Sequence, residues 1–183
     1  MKSKGILIFD MDGVLIDVSG SYRETIRRSA RLFFRGAGGY KDLPDPLFPL
    51  SDLAQIKQSG GLNNDWDLTH YVIQLLCSLI KIPQVSPGDD VWHRYRETIS
   101  NLDVARLARY LKTSADPLSN LQQKYPQITN DFIQSLYAGD VGSGNIIKQF
   151  FRKYTSVKTC LNRHMQFPLK DIRARVIFSK KDC

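Results

Sequence analysis

At 183 residues the chain has the length of one globular domain of roughly 150 residues plus an insertion, enough for one sizeable core and too short for two. A hydrophobic content of 42%, aromatics at 10% and eight prolines exclude a collagen-like, wholly disordered or disulfide-scaffold chain, and three distant cysteines (Cys77, Cys160, Cys183) draw neither a disulfide framework nor a zinc spacing. The net charge of +8 lies wholly in residues 141–183, which hold 10 Lys+Arg against 2 Asp+Glu while residues 1–140 balance at 16 of each, so the basic charge belongs to a tail that reads as a solvated surface, and no nucleic-acid partner is expected.

From the N-terminus, Ile6 to Phe9 is too short an apolar run for a signal peptide. Val72 to Ile80, bounded by Asp67 and Lys81, is too short for a membrane span, so a cytoplasmic chain that meets no membrane is expected. Gly5 to Phe9 reads as a buried parallel strand delivering Asp10-Met-Asp-Gly13 at its carboxyl end. Ser21 with Glu24 forms a capping-box pattern. Tyr22, Ile26, Ala30 and Phe33 recur at helical spacing with Arg23, Arg27, Arg31 and Arg35 on the other side, predicting a helix from about Ser21 to Arg35. Gly36-Ala-Gly-Gly39 stops it, and Pro44-Asp-Pro-Leu-Phe-Pro49 reads as an irregular connector. Ser51 to Ser59 predicts a short helix, Gly60-Gly61 breaks it, and Asn63-Asn-Asp65 caps an apolar helix running to about Lys81. After Pro83 and Pro87, Asp89 or Asp90 caps a helix through Val91, Tyr95 and Ile99. Leu102, Leu107, Leu111, Phe132, Ile133 and Leu136 continue the pattern, so 21–138 reads as an all-helical unit. Beyond a turn at 139–144 a helix is expected over Asn145 to Tyr154, and Ala174 to Phe178 is a second β-like run, ending at Ser179.

Asp10 and Asp12, two residues apart on an extended turn, can share one divalent cation and one phosphoryl group, one as nucleophile and the other for proton transfer, while Gly13 lets the backbone turn close to a ligand. The stretch Ile6-Leu-Ile-Phe-Asp-Met-Asp-Gly-Val-Leu-Ile-Asp17 resembles the first motif of the haloacid dehalogenase (HAD) superfamily of phosphohydrolases. Gly60 to Thr69 is similar to a cap segment of phosphoglycolate-phosphatase-like members. The resemblance implies an α/β fold, a HAD-like Rossmannoid core carrying an inserted all-helical cap and mostly α by content. It also implies that Asp10 attacks phosphorus to form an aspartyl-phosphate and that Asp12 serves as acid and base. Mg2+ would be held by Asp10 and the main-chain carbonyl of Asp12, and the substrate would be a small phosphorylated metabolite. Hard oxygen ligands and no Cys/His cluster favour magnesium over zinc. Gly13, Ser179 and Asn64 are the substrate-binding candidates: Ser179 as a strand-end hydroxyl for a phosphate oxygen, Asn64 as an amide lining the cleft, beside its plainer reading as a helix cap.

The chain departs from the family at the distant lysine and the last acidic motif. Lys180 and Lys181 follow Ser179 too closely, and Pro87-Gly-Asp-Asp90 and Ala138-Gly-Asp140 precede any second core strand and read as caps or turns. One clear strand and one further candidate do not complete a parallel sheet, which needs several strands covered on both faces. The expected organisation is a core strand and catalytic motif at 1–17, a helical cap at 18–138 and a basic segment at 139–183 with a partial return to the core. This describes a truncated member, or one whose end is read in a shifted frame, turning over phosphate esters barely above background. Two other readings stand beside it: a non-catalytic helical module for a phosphorylated ligand or protein partner, and a nucleic-acid binder through the basic tail. His70, His93 and His164 carry no expected catalytic role.

Overall fold

The computed structural model describes residues 19–59, 62, 64–82, 90–138 and 144–153. Within them run α1 (Ser19–Phe33), a 3-10 turn (Tyr40–Asp42), α2 (Leu50–Ser59), α3 (Asp65–Cys77), α4 (Val91–Ser100), α5 (Ala105–Thr113), α6 (Pro117–Lys124) and α7 (Asp131–Ser135), followed by helical backbone over 146–153.

Three helices begin where a side chain takes up N–H groups that a first turn leaves unpaired. Asn64 Oδ1 accepts from Trp66 N and Asp67 N at the head of α3, Asp90 Oδ2 accepts from Trp92 N and His93 N at α4, and Asn130 Oδ1 accepts from Ile133 N at α7. The cap expected within Asn63-Asn-Asp65 is therefore Asn64, and of Asp89 and Asp90 it is Asp90 that caps α4. The capping box expected at Ser21 is not: Ser21 lies inside α1, its carbonyl accepting from Thr25 Oγ1, and the Glu24 carboxylate pairs with Arg27 and Arg28 instead of reaching back to the backbone. Burial works to raise the Glu24 pKa, but the Arg28 hydrogen bond and the Arg27 charge outweigh it and hold the carboxyl below its ordinary value. Helix α3 stops at Cys77, short of Lys81, where the bonding tightens to three-residue turns: Leu79 N donates to Leu76 O and Ile80 N to Cys77 O, while the Ser78 hydroxyl donates to Leu75 O at 2.6 Å.

Helix α1 packs on α2 and α3, and α6 packs on the same two helices, which closes a ring of four. Ile26, Phe33, Leu53, Ile56, Leu68, Val72, Leu75, Leu118 and Leu121 fill it, all buried, each contributing about 1.5–3 kcal/mol by leaving water. The second half of α3 is buried on every side, with Val72, Ile73, Gln74, Leu75, Leu76 and Cys77 all inside, as suits a central helix. Phe150, on the 146–153 helix, lies 6.3 Å from Phe33 and 5.4 Å from Tyr95 between ring centroids, joining that helix to α1 and α4. The Tyr95 hydroxyl donates to Phe33 O at 2.7 Å.

The α/β fold, a Rossmannoid core bearing a cap, is corrected by this architecture. Among the described residues the body is all helical, and the one β-type pairing is an isolated parallel bridge between Gly38 and Asp103. A Rossmann-like core buries its apolar side chains between a parallel sheet and covering helices, whereas this core is made by helices packed on helices. The bridge itself is local: Gly38 N donates to Leu102 O and Val104 N donates to Gly38 O, while Gly39 holds φ +75° with Ala105 N only 3.2 Å from where a Cβ would stand. The strands expected at 5–9 and 174–178 lie outside the described residues. No helix among the described residues is long and apolar enough to cross a membrane.

Candidate functional site

Asp10, Asp12, Gly13 and Ser179, with the magnesium site expected at Asp10 and Asp12, lie outside the described residues, as do Asp89, Asp140 and His164. Asn64 is described, and its Oδ1 is committed to the α3 cap at 3.0 and 3.1 Å. Among the described residues no group of three or more His, Cys, Asp or Glu could hold a metal ion.

What the fold does bring together stands along α3. Asp67, His70 and Gln74 occur at spacings of three and four, which puts them on one helix face. Tyr137, just beyond α7, reaches that face: its hydroxyl donates to Asp67 Oδ1, and its ring stacks on the His70 imidazole with centroids 4.3 Å apart and planes 13° from parallel. Gln74 Nε2 stands 2.9 Å from His70 Nε2. An amide nitrogen can only donate, so His70 Nε2 accepts and the neutral ring carries its proton on Nδ1. Burial pulls the His70 pKa down to about 4 against the opposing pull of the Asp67 charge, so the ring is uncharged at neutral pH. Burial, with the Asp67 hydrogen bond and charge adding to it, pushes the Tyr137 phenol well above its ordinary value, and it stays protonated.

The 146–153 helix closes one side of this group. Asn145 Nδ2 donates to Tyr137 O at 2.9 Å and Ile146 N donates to Leu136 O at 3.0 Å, anchoring the start of that helix against the end of α7. Lys148 Nζ then lies 5.7 Å from the Tyr137 ring and 5.8 Å from the Trp66 ring, both within cation–π range. Trp66, in the first turn of α3, is 37% exposed and meets Phe151 edge to face at 5.9 Å. A carboxylate, a protonated phenol, a neutral imidazole, an ammonium and an open indole face thus share one patch. The α3 spacing was a usable signal for half of it; Tyr137, 70 residues away from Asp67, left none in the sequence.

No family model matches the chain, and no solved structure matches it. A Phytophthora nicotianae protein named imidazoleglycerol-phosphate dehydratase is 39% identical over 67 residues, a stretch that is 37% of this chain and 12% of that protein. The similarity is thus to an enzyme, over about an eighth of its length. The expected identity and function, a HAD-type magnesium-dependent phosphohydrolase of the phosphoglycolate-phosphatase-like branch, are corrected accordingly: the name the partial relative carries is that of a dehydratase, and the described body lacks the sheet on which that resemblance placed its chemistry.

Proposed function

We propose that this chain serves a dehydratase-type enzyme acting on a small phosphorylated metabolite that carries an imidazole ring, the substrate class in the name of its partial relative. The observation that carries the proposal is the assembly of Asp67, His70 and Tyr137 into one hydrogen-bonded, stacked group from segments far apart in the chain. Loss of water needs a base for a carbon-bound proton and a donor for the departing hydroxyl. Asp67 is the base, and the protonated Tyr137 phenol is the donor, its proton replaced from Asp67 through the hydrogen bond they share. His70, neutral and stacked, positions the phenol. The exposed Trp66 face suits an imidazole ring, and the Lys148 ammonium beside it suits the phosphate charge.

The test is a titration of the chain with imidazoleglycerol phosphate, followed by calorimetry, together with an NMR assay for loss of water. Binding should disappear in Trp66→Ala, and turnover should disappear in Asp67→Asn with binding kept. Absence of binding, or turnover undiminished in Asp67→Asn, overturns the proposal.

A further inference from the structure

A second group of residues lines a cleft of about 280 Å3: Arg28, Arg31 and Leu32 from α1, Tyr40 from the 3-10 turn and Asp45 from the connector. Its size lies just below the roughly 300–1,000 Å3 of ordinary small-molecule clefts, which suits a small charged group more than a large apolar one. Arg31 is 24% exposed in its side chain and is held from three directions. Its Nη1 donates to the Tyr40 hydroxyl at 2.8 Å, its Nε donates to Pro44 O at 3.3 Å, and the guanidinium carbon lies 4.8 Å over the Tyr40 ring. Arg28 is 55% exposed, with its Nε on Glu24 Oε1 at 2.6 Å.

Arg28 uses one of its five N–H donors on Glu24 and Arg31 uses two, on Pro44 and Tyr40, and both side chains line the cleft. Arg31 has already lost its rotamer freedom to Tyr40 and Pro44, so a ligand that meets it is spared that cost. The carboxylate opposite, Asp45, is 78% exposed and reaches Arg31 Nε at 4.0 Å, the loosest of these contacts, of a kind that contributes little in water. Glu24 is already shared between Arg27 and Arg28. The lining itself carries two arginines, Arg28 and Arg31, against one carboxylate, Asp45, and an anion seated between the two guanidinium groups relieves their repulsion.

We propose that this cleft is a binding site for a phosphate dianion, held by Arg28 and Arg31 with the Tyr40 hydroxyl keeping Arg31 in position. It is built from α1 and residues 40–45, separate from the Tyr137 group on α3, and does not rest on the dehydratase proposal. Planar guanidinium groups match the oxygens of a phosphate with paired hydrogen bonds, which lysines do not.

Inorganic phosphate is the probe, titrated into the full chain at constant ionic strength and read by backbone and arginine-Nε NMR shifts. Shifts should gather at Arg28, Arg31 and Tyr40. Arg31→Gln should weaken binding about tenfold, as expected for loss of a charge-assisted pair. Asp45→Asn, a surface change with little bearing on folding, should strengthen binding by about threefold through loss of the opposing charge. Arg106→Gln, which removes the same charge from an exposed position on α5, should leave it unchanged. Equal weakening by Arg106→Gln, no response to Asp45→Asn, acetate binding as strongly as phosphate, or no saturation by phosphate each overturns the site.

Discussion

Two carboxylates, Asp52 on α2 and Asp67 on α3, reach across the fold to segments 66 and 70 residues further along the chain. Asp52 is fully buried, and both of its oxygens are occupied: Oδ2 accepts from Leu118 N at 2.6 Å, and Oδ1 accepts from Ser119 N at 3.0 Å and from the Ser119 hydroxyl. It does for α6 what Asp116, the residue at the cap position, does not, since Asp116 makes no side-chain bond to the first turn. Asp67 is half-buried and, among the described residues, only its Oδ1 has a side-chain partner, Tyr137. A charge with no access to water has to be saturated by donors, which leaves it no capacity for a ligand. A charge at the edge of the core keeps a lone pair for chemistry. The difference separates a carboxylate that builds the fold from one that the fold offers to a substrate.

The hardest test of that contrast is Asp52→Ala, which strands two backbone donors at a buried helix start. It should lower stability by about 2–3 kcal/mol, seen as a fall in the urea midpoint without a change in slope. Asp52→Asn, which keeps one acceptor oxygen, should cost less. Tyr137→Phe comes next. It removes one hydrogen bond to a charged group but keeps the ring on His70, so a loss of about 1–2 kcal/mol is expected. A loss from Tyr137→Phe as large as that from Asp52→Ala would erase the distinction between the two sites.

Acid gives a subtler test. His70 has its pKa drawn down to about 4 in the fold from an ordinary 6.5, so between those values the unfolded chain binds a proton that the folded chain refuses. Stability attributable to His70 is therefore full above about pH 6.5, falls as the pH drops, and levels off below about pH 4. His70→Asn should flatten that part of the urea-midpoint profile, and the ring protons of His70 should titrate near pH 4 by NMR. A midpoint near 6.5 would place His70 in open solvent and break the stacked group. The smallest effect is expected at Lys148, whose two ring contacts near 5.8 Å lie at the long end of cation–π range: Lys148→Met should shift stability by about 0.5–1 kcal/mol.

Helix starts were the most legible feature of this chain. Asn64 caps α3 within the expected 63–65 stretch and Asp90 is the one of Asp89 and Asp90 that caps α4, and α1, α2 and the 146–153 helix fall within two residues of their expected bounds, because these choices are made by atoms two to four residues apart. Local pattern misled where a competing partner stood close: Glu24 went to arginines one turn ahead and not to a cap at Ser21. The motif of a dozen residues at 6–17 implies an α/β fold by resemblance, but a short motif says nothing of how the rest of the chain packs, and among the described residues the core is helix on helix. Asp52 beneath α6 and Tyr137 over His70 belong wholly to the tertiary structure. Neither pairing has a spacing that repeats along the chain, and each exists only because packing closes the ring of α1, α2, α3 and α6, or lays α7 on α3, bringing together groups whose separation in sequence carries no information about their separation in space.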